Sequence, residues 1–222
     1  MTIGPSHSPG IRGYSGVMPV AAARMLIAQG RPRAAARRLL ALAEHDPQAR
    51  ALLESLPAAG AHGAVLAERL RFGPPETWCG WRAGHGRVAV KLWPAAQSAR
   101  MLPPLGHPGV APLVDQGAGW RVFGWVAGAT LANARRRGPL PADLIKQVGA
   151  AVAALHAGGV AHGDLTPANV VITPHSRAVL IDWGEDSAGT PGWRPEGPHD
   201  AHQRDHFALA ALSAFLREGE RP

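Results

Sequence analysis

The stretch VAHGDLTPANVVI, residues 160–172, decides the fold, and LIDWGED follows it at residues 180–186. It places Asp164 in a loop, Asn169 five residues further on, and Asp182 at the end of the next apolar run. An Asp in a short loop after a helix can accept a proton from an incoming hydroxyl group. The Asn and the second Asp are oxygen ligands that could hold one divalent metal. The pattern therefore indicates a site that combines a base with a metal.

The segments around this stretch predict a helix-rich half of the molecule. LPADLIKQVGAAVAALHAGG, residues 140–159, predicts a helix with Pro141 early, Asp143 in its first turn and a glycine stop. VVIT and AVLIDW are short apolar runs joined by PHSR, which predicts a hairpin, and DHFALAALSAFL at 205–216 predicts another helix. The apolar face of the first helix consists of Leu144, Val148, Val152 and Leu155.

The preceding part of the chain predicts β-structure. GRVAVKLW, residues 86–93, alternates and is rich in valine, so it predicts a strand, with Gly84 and Gly86 supplying the turn of a hairpin. WRVFGWVAG, residues 120–128, predicts another strand. A β-rich half followed by a helix-rich half indicates two lobes. Taken alone, Lys91 is favoured as a solvent-facing strand residue, but it could also hold phosphates opposite the second Asp.

The N-terminal region predicts helices. Residues 17–65 are rich in Ala, Leu and Arg at helical spacing, and residues 1–16 are rich in Gly, Pro and Ser, which predicts a mobile tail. Four residues fall near the spacing of a tetratricopeptide unit, a pair of antiparallel helices: Gly30, Ala35, Leu39 and Pro47. Because a stable solenoid needs at least about three repeats, a helical hairpin packed on the main domain is favoured over a module that binds a protein partner. The side chains expected to be buried there are Leu39, Leu42, Leu52 and Leu53.

Composition narrows the class of protein. The 222 residues carry a formal net charge of +7, which would suit nucleic acid or an acidic membrane. The arginines mostly stand singly apart from a run at 135–137, so a solvated basic surface is favoured and no nucleic-acid partner is expected. The single Cys79 excludes an intrachain disulfide. No apolar run reaches the roughly 18 residues of a membrane span, and 17–28 lack the basic start of a signal peptide, which predicts a cytoplasmic protein.

Together these segments resemble the protein-kinase-like superfamily over residues 66–216. VAVK resembles the motif of the third kinase strand, HGDLTPAN resembles the catalytic loop, and DWG stands where protein kinases carry Asp-Phe-Gly. The resemblance implies that ATP and Mg²⁺ are used. It implies that Lys91 holds the phosphates, that Asp164 is the base, and that Asn169 and Asp182 bind Mg²⁺.

The same resemblance implies an α+β bilobal fold. The first lobe would span 66–127 and a truncated second lobe 128–222, with the helical hairpin in front. FGWVAGATL resembles the hinge that binds adenine through backbone groups, here at Gly124 and Val126. Gly73 is the expected glycine that remains in the glycine-rich loop.

Two further segments resemble structural parts of a kinase. GTPGWRPE resembles the end of an activation segment, with Glu196 as its closing Glu, and Asp205 resembles the buried Asp that ties the catalytic-loop backbone. His162 is favoured as a packed loop histidine, and Trp183 and Trp193 as packing residues rather than substrate contacts.

The sequence also departs from the kinase pattern. Pro75 and Trp78 occupy the other expected glycine positions, and proline removes a backbone donor from the loop. Between Lys91 and His107 there is no Glu or Asp, and Ser98 stands near the position of the Glu that pairs with the lysine. The activation segment is very short, and the later helices of the second lobe are expected to be missing.

Three hypotheses remain open from the sequence. The first is a minimal or atypical serine/threonine protein kinase. The second is a small-molecule phosphotransferase, because HGDLTPAN also resembles the aminoglycoside phosphotransferases. The third is a pseudokinase that binds a nucleotide or a protein partner. GTPGWRPE favours the first hypothesis, since small-molecule kinases generally lack it, whereas the degraded glycine-rich loop favours the third.

Overall fold

The computed structural model describes residues 17–58, 60, 62–94, 97, 100–184 and 189–218. The predicted tail at 1–16 lies outside the described residues, and so does Ser98.

Three helices open the described chain: α1 (Val17–Ala28), α2 (Pro32–Leu40) and α3 (Pro47–Glu54). Both α2 and α3 begin at a proline, whose missing N–H costs nothing in the first turn of a helix. Asp46 precedes α3 and its carboxylate accepts hydrogen bonds from the backbone N–H groups of Gln48 and Ala49. This cap satisfies two of the unpaired donors of the helix start.

The helices cover one face of a β-sheet. Leu39 and Leu53 are fully buried, while Leu42 and Leu52 are half-buried. They share a core with side chains of the first two strands, including Cys79 and Trp81. Burial raises the pKa of the Cys79 thiol to about 11, so the thiol stays protonated at neutral pH.

The first lobe contains one antiparallel sheet. Its five strands are β1 (Val65–Arg71), β2 (Glu76–Arg82), β3 (Gly86–Leu92), β4 (Leu113–Gly117) and β5 (Trp120–Gly124), in the order β1-β2-β3-β5-β4. The predicted hairpin between β2 and β3 is confirmed, and its turn uses Gly84 at φ +77° and Gly86 at φ +81°, a region that favours glycine.

The strand predicted at 120–128 is shorter than expected. β5 ends at Gly124, whose N–H donates to the Pro112 carbonyl at 2.9 Å, and residues 125–128 leave the sheet to connect the lobes. At Gly128 a Cβ atom would lie 2.3 Å from the Ile172 carbonyl oxygen. Glycine is therefore required where this connection passes the second lobe.

The second lobe combines a small sheet with helices. Its elements are β6 (Ala129–Thr130), α4 (Leu131–Ala134), α5 (Leu144–Ala157), β7 (Val170–Ile172), β8 (Ala178–Leu180) and α6 (Ala201–Glu218), with the small sheet in the order β6-β7-β8. The predicted α5 helix, β7–β8 hairpin and α6 helix are thus confirmed. The four apolar residues predicted on one face of α5 are all buried in the core of this lobe.

The lobes are tied together by backbone hydrogen bonds. Ala111 donates to the Leu180 carbonyl at 2.9 Å, and Leu180 donates to the Gly109 carbonyl at 2.8 Å. The end of β8, and with it the start of the DWG segment, is thereby fixed to the chain that leads into β4. Within the described ranges, no helix combines the length and apolarity needed to cross a membrane.

Candidate active site

Lys91 and Asp182 form an ion pair between the two lobes. Lys91 lies on β3 with 1% of its side chain exposed, and its Nζ is 3.3 Å from Oδ1 of Asp182. A buried ammonium group requires an anionic or hydrogen-bonding partner, and Asp182 is such a partner. The solvent-facing alternative for Lys91 is therefore wrong, because the lysine is inside the molecule.

Asp182 occupies an unusual backbone conformation. Its φ of 59° lies in the left-handed region, which costs energy for residues other than glycine and is frequent at functional sites. The following Trp183 is fully buried, donates its indole N–H to the Ala111 carbonyl at 2.9 Å, and packs edge-on against Phe123. Trp183 is thus a packing residue, as predicted, and it holds the Asp182 backbone in place.

Arg121 is a buried residue of this site that the sequence did not reveal. It lies on β5 directly opposite Lys91, so both side chains project from the same face of the sheet. Its guanidinium donates to the Gly184 carbonyl at 3.1 Å and to the Arg100 carbonyl at 2.5 Å. The arginine therefore ties the DWG segment to the sheet. An arginine alternating in a strand has no local signal that separates it from a surface residue.

Asp205 anchors the catalytic loop, as predicted. This fully buried carboxylate accepts the backbone N–H groups of His162 at 2.7 Å and Gly163 at 2.8 Å, and it contacts Nε2 of His156 at 2.9 Å. His162 is also fully buried, and its Nδ1 accepts the N–H of Asp164 at 3.3 Å. Burial lowers the pKa of the His162 imidazole, although the nearby carboxylates oppose this effect. A neutral, packed His162 fits the prediction.

The loop brings Asp164 and Asn169 together. The side-chain amide of Asn169 donates to the Asp164 carbonyl at 2.8 Å, and its nitrogen lies 3.5 Å from Oδ2 of Asp164. Oδ1 of Asp164 accepts the backbone N–H of Thr190 at 2.8 Å. These contacts hold the carboxylate of Asp164 in one orientation, and the weakly contacted Oδ2 is the atom available to a further donor.

The residues present fit a magnesium ion chemically. Asp182 contributes a carboxylate and Asn169 an amide oxygen, and Mg²⁺ prefers such hard oxygen ligands. The Ile181 N–H donates to the Asn169 carbonyl at 2.9 Å, which brings the chain of Asp182 alongside Asn169. Within the described part of the chain, no group of three or more His, Cys, Asp or Glu side chains could enclose a metal. The ion would therefore need ligands from a phosphate or water as well.

A cavity of about 800 Å³ opens beside the catalytic loop. Asp164 and Asn169 form one wall, and Trp193 and Phe215 contribute an apolar wall with their rings edge-on at 5.7 Å. This space is large enough for a small molecule next to the Asp164 carboxylate.

The remaining predicted site residues lie elsewhere. Gly73 is in the exposed turn between β1 and β2 at φ +98°, with no atom within 4 Å of where a Cβ would stand. Val126 lines a separate cavity of about 640 Å³, together with apolar residues of the segment before β4. Glu196 is exposed and forms no ion pair with any other described residue. The structure therefore brings Lys91 together with Asp182, and Asp164 together with Asn169. Among the described residues, it shows no contact of Gly73, Val126 or Glu196 with these pairs.

Parts of the chain are similar to a kinase family, to a subunit of the EKC/KEOPS complex and to a serine/threonine-protein kinase. Residues 127–190 match the model of the lipopolysaccharide kinase (Kdo/WaaP) family. The chain is 30% identical over 95 residues to the EKC/KEOPS complex subunit BUD32 of Gibberella zeae, which covers 33% of this chain and 36% of that protein. It is 38% identical over 63 residues to the serine/threonine-protein kinase PknE of Mycobacterium tuberculosis, which covers 27% of this chain and 11% of that protein.

A solved structure shows a similar fold. The PknI kinase domain of Mycobacterium tuberculosis, crystallised as a double mutant, superposes with a TM-score of 0.56 at 25% identity and covers 76% of this chain and 78% of that one. The chain thus spans about a third or less of the two curated relatives, whereas its fold matches most of a solved domain.

Proposed function

Because the chain belongs to the protein-kinase-like superfamily, we propose that it is an ATP-dependent phosphotransferase that moves the γ-phosphoryl group of ATP to a hydroxyl group. The predicted superfamily and the predicted bilobal α+β fold are confirmed by the kinase relatives and the kinase-domain neighbour. The observation that carries the proposal is the Lys91–Asp182 ion pair at the junction of the lobes, next to the braced Asp164–Asn169 loop.

The chemistry can be derived from the residues in place. Lys91 would bind the α- and β-phosphates, since its charge is already buried and oriented by Asp182. Asp164 would receive the proton of the acceptor hydroxyl on Oδ2, because Thr190 holds Oδ1. Asn169 would keep the loop closed and, with Asp182, bind Mg²⁺, which neutralises charge on the phosphates when bound.

Adenine would lie against the hinge at 125–128. Gly124 donates its N–H to the Pro112 carbonyl, so its donor is committed within the protein. Val126 is then the hinge residue proposed to bind the base. Gly73 would approach the phosphates only if the β1–β2 turn closed over them.

The names of the relatives point to different acceptors. PknE is a serine/threonine-protein kinase, whereas the matching family is named for lipopolysaccharide. A serine or threonine hydroxyl and the hydroxyl of a non-protein molecule are therefore both candidates. BUD32 is a subunit of a complex. A protein partner that binds the N-terminal helices is therefore also proposed.

Replacing the proposed base tests the function directly. Asp164→Asn should cut phosphoryl transfer at least about a hundredfold, because a positioned base contributes about 10²–10⁴-fold. Nucleotide affinity should be nearly unchanged, since asparagine can still accept the Thr190 N–H. Asp182→Asn should reduce both transfer and affinity. Transfer is measured with radiolabelled ATP and product separation, and affinity by the shift in Tm with magnesium and ATP.

An exposed aspartate provides the matched control. Asp143 stands before α5, away from the site, and its carboxylate accepts only the amide of Gln147 among the described residues, so Asp143→Asn should leave transfer unchanged. Binding at a hundredfold excess of nucleotide over Kd should stabilise the fold by about 2.7 kcal/mol, which is readily measured. Equal background turnover in the wild type and Asp164→Asn would favour a nucleotide-binding pseudokinase instead.

A further inference from the structure

The cavity beside Asp164 is strongly basic. Its charged lining residues, among those described, are Arg71, Arg135 and Arg136 together with the single acid Asp164. The three arginines come from separate parts of the fold: Arg71 ends β1 in the first lobe, and the other two follow α4 in the second. The fold therefore brings arginines from both lobes to the cavity that Asp164 also lines.

Arg135 and Arg136 each contact a neighbouring side chain of the second lobe, while Arg71 and Arg136 are exposed to solvent. No ion pair within the described ranges involves any of the three. The guanidinium of Arg135 lies over the ring of Phe215 at 4.3 Å, and Arg136 donates to the side chain of Asn133. Neighbouring like charges repel, and three arginines around a single carboxylate leave the cavity with an excess of positive charge that suits an anionic ligand.

We propose that the phosphoryl acceptor is a small hydroxyl compound that already carries a phosphate group. Guanidinium groups bind phosphate through paired, charge-assisted hydrogen bonds, and the cavity of about 800 Å³ has the size of a small-molecule site. The apolar wall of Trp193 and Phe215 would take the carbon skeleton.

This inference rests on the proposed phosphotransferase function and specifies its substrate. The acceptor oxygen would form a bond to the γ-phosphorus as the bond to ADP breaks, and its proton would pass to Asp164. The arginines would act only on the phosphate that the acceptor brings. Neither Lys91 nor Asp182 lines this cavity, so the basic cluster is separate from the pair assigned to the nucleotide.

Arginine substitutions test the proposal with a close control. Arg135→Gln and Arg136→Gln remove cavity charges. Arg137→Gln is the control, because Arg137 is exposed like Arg136 but does not line the cavity. Binding of inorganic phosphate is measured by ³¹P NMR in the presence of saturating magnesium and a non-hydrolysable ATP analogue, so that the nucleotide site is filled. Transfer is compared between glucose 6-phosphate and glucose, between glycerol 3-phosphate and glycerol, and with an acidic serine peptide.

We expect the wild type to bind phosphate and to prefer the phosphorylated acceptor of each pair. Each cavity substitution should weaken phosphate binding about tenfold or more, which corresponds to one lost charge-assisted hydrogen bond. Arg137→Gln should bind phosphate as the wild type does, and the Tm shift with magnesium and ATP should be the same in all variants.

Any one of the following results would overturn the proposal: no phosphate binding by the wild type, equal effects of all three substitutions, no preference for phosphorylated acceptors, or faster transfer to the peptide. A Tm shift with ATP that falls in the cavity variants would instead assign the arginines to the nucleotide and also overturn it. If ATP gives no shift in the wild type while phosphate binding depends on Arg135 and Arg136, the phosphotransferase proposal fails and the anion site stands.

Discussion

At the scale of single residues, the acid that would pair with Lys91 is missing from the expected segment, and Lys91 is oriented by other contacts. The chain has no acid between Lys91 and His107, and Lys91 pairs directly with Asp182. Arg121, beside Lys91 on the neighbouring strand, holds the carbonyl of Gly184 two residues after Asp182. The sheet thus orients the DWG segment through two side chains on one face, since Lys91 of β3 contacts Asp182 and Arg121 of β5 donates to Gly184.

This role of Arg121 predicts a loss of nucleotide affinity on substitution. Arg121→Met replaces the guanidinium with an unbranched apolar side chain and so removes both hydrogen bonds to backbone carbonyls. Each such bond to a charged group contributes about 1.5–3 kcal/mol. We expect a lower Tm and an affinity for magnesium and ATP weakened about tenfold, measured by calorimetric titration on the folded variant.

Arg87→Met is the control for Arg121→Met. Arg87 lies on β3, in the same sheet. It pairs with Glu44 and donates to the Leu40 carbonyl, on the side of the N-terminal helices. It should lower the Tm while leaving nucleotide affinity unchanged. If Arg121→Met and Arg87→Met affect affinity alike, Arg121 is a stabilising residue without a role in positioning.

At the scale of elements, helices α1–α3 and strands β1 and β2 share one core. Leu39 of α2 and Leu53 of α3 are fully buried within it, and the indole N–H of Trp81 on β2 donates to Glu54 at 3.0 Å. The apolar face of the helices is therefore covered by the sheet. A protein partner of this region would have to bind the outer surface of the helices.

Truncating these leucines tests whether the helices unfold with the first lobe. Leu39→Ala and Leu53→Ala should each lower the free energy of unfolding by about 2–5 kcal/mol, the usual cost of a cavity in a packed core. Leu42→Ala, at a half-buried position, should cost roughly 1 kcal/mol. Denaturant unfolding followed by tryptophan fluorescence measures these changes. Similar values for Leu39→Ala and Leu42→Ala would show that the helices are not part of the cooperative core.

At the scale of the whole molecule, two buried histidines couple stability to pH. Burial is the main cause that lowers the pKa of His162 in the second lobe and of His62 before β1. The folded state then holds fewer protons on these side chains than the unfolded state does below the ordinary histidine pKa of about 6.5. Their contribution to stability is complete above that pH and is lost as the pH falls through and below it.

The free energy of unfolding should therefore decrease between pH 7.5 and 5.5, by up to about 1.4 kcal/mol per pH unit for each histidine. His62→Gln should reduce this slope, because glutamine does not take up a proton in this pH range. The fold should be kept, since glutamine can still accept the Ala64 N–H that His62 accepts. An unchanged slope in His62→Gln would contradict the assignment to that residue.

The sequence by itself determined several of the elements and the order of the chemical groups. Local patterns suffice for this, because the α5 periodicity, the β2–β3 glycine turn and the β7–β8 hairpin depend on neighbours in the chain. The HGDLTPAN and DWG segments likewise carry their acids at short, fixed spacing. The predicted end of β5 was wrong, since the strand stops where the Gly124 N–H bonds to the Pro112 carbonyl, a contact between residues distant in the chain.

Only the tertiary structure decided which side chains meet. The pairing of Lys91 with Asp182, the clamp by Arg121 and the gathering of Arg71 with Arg135 and Arg136 join residues far apart in the chain. Such contacts follow from the register of β3 with β5 and from the docking of the lobes, which bury charges that look like surface residues in the sequence. A charge on a strand has the same local pattern whether it faces solvent or the site, so burial is a property of the assembled fold alone.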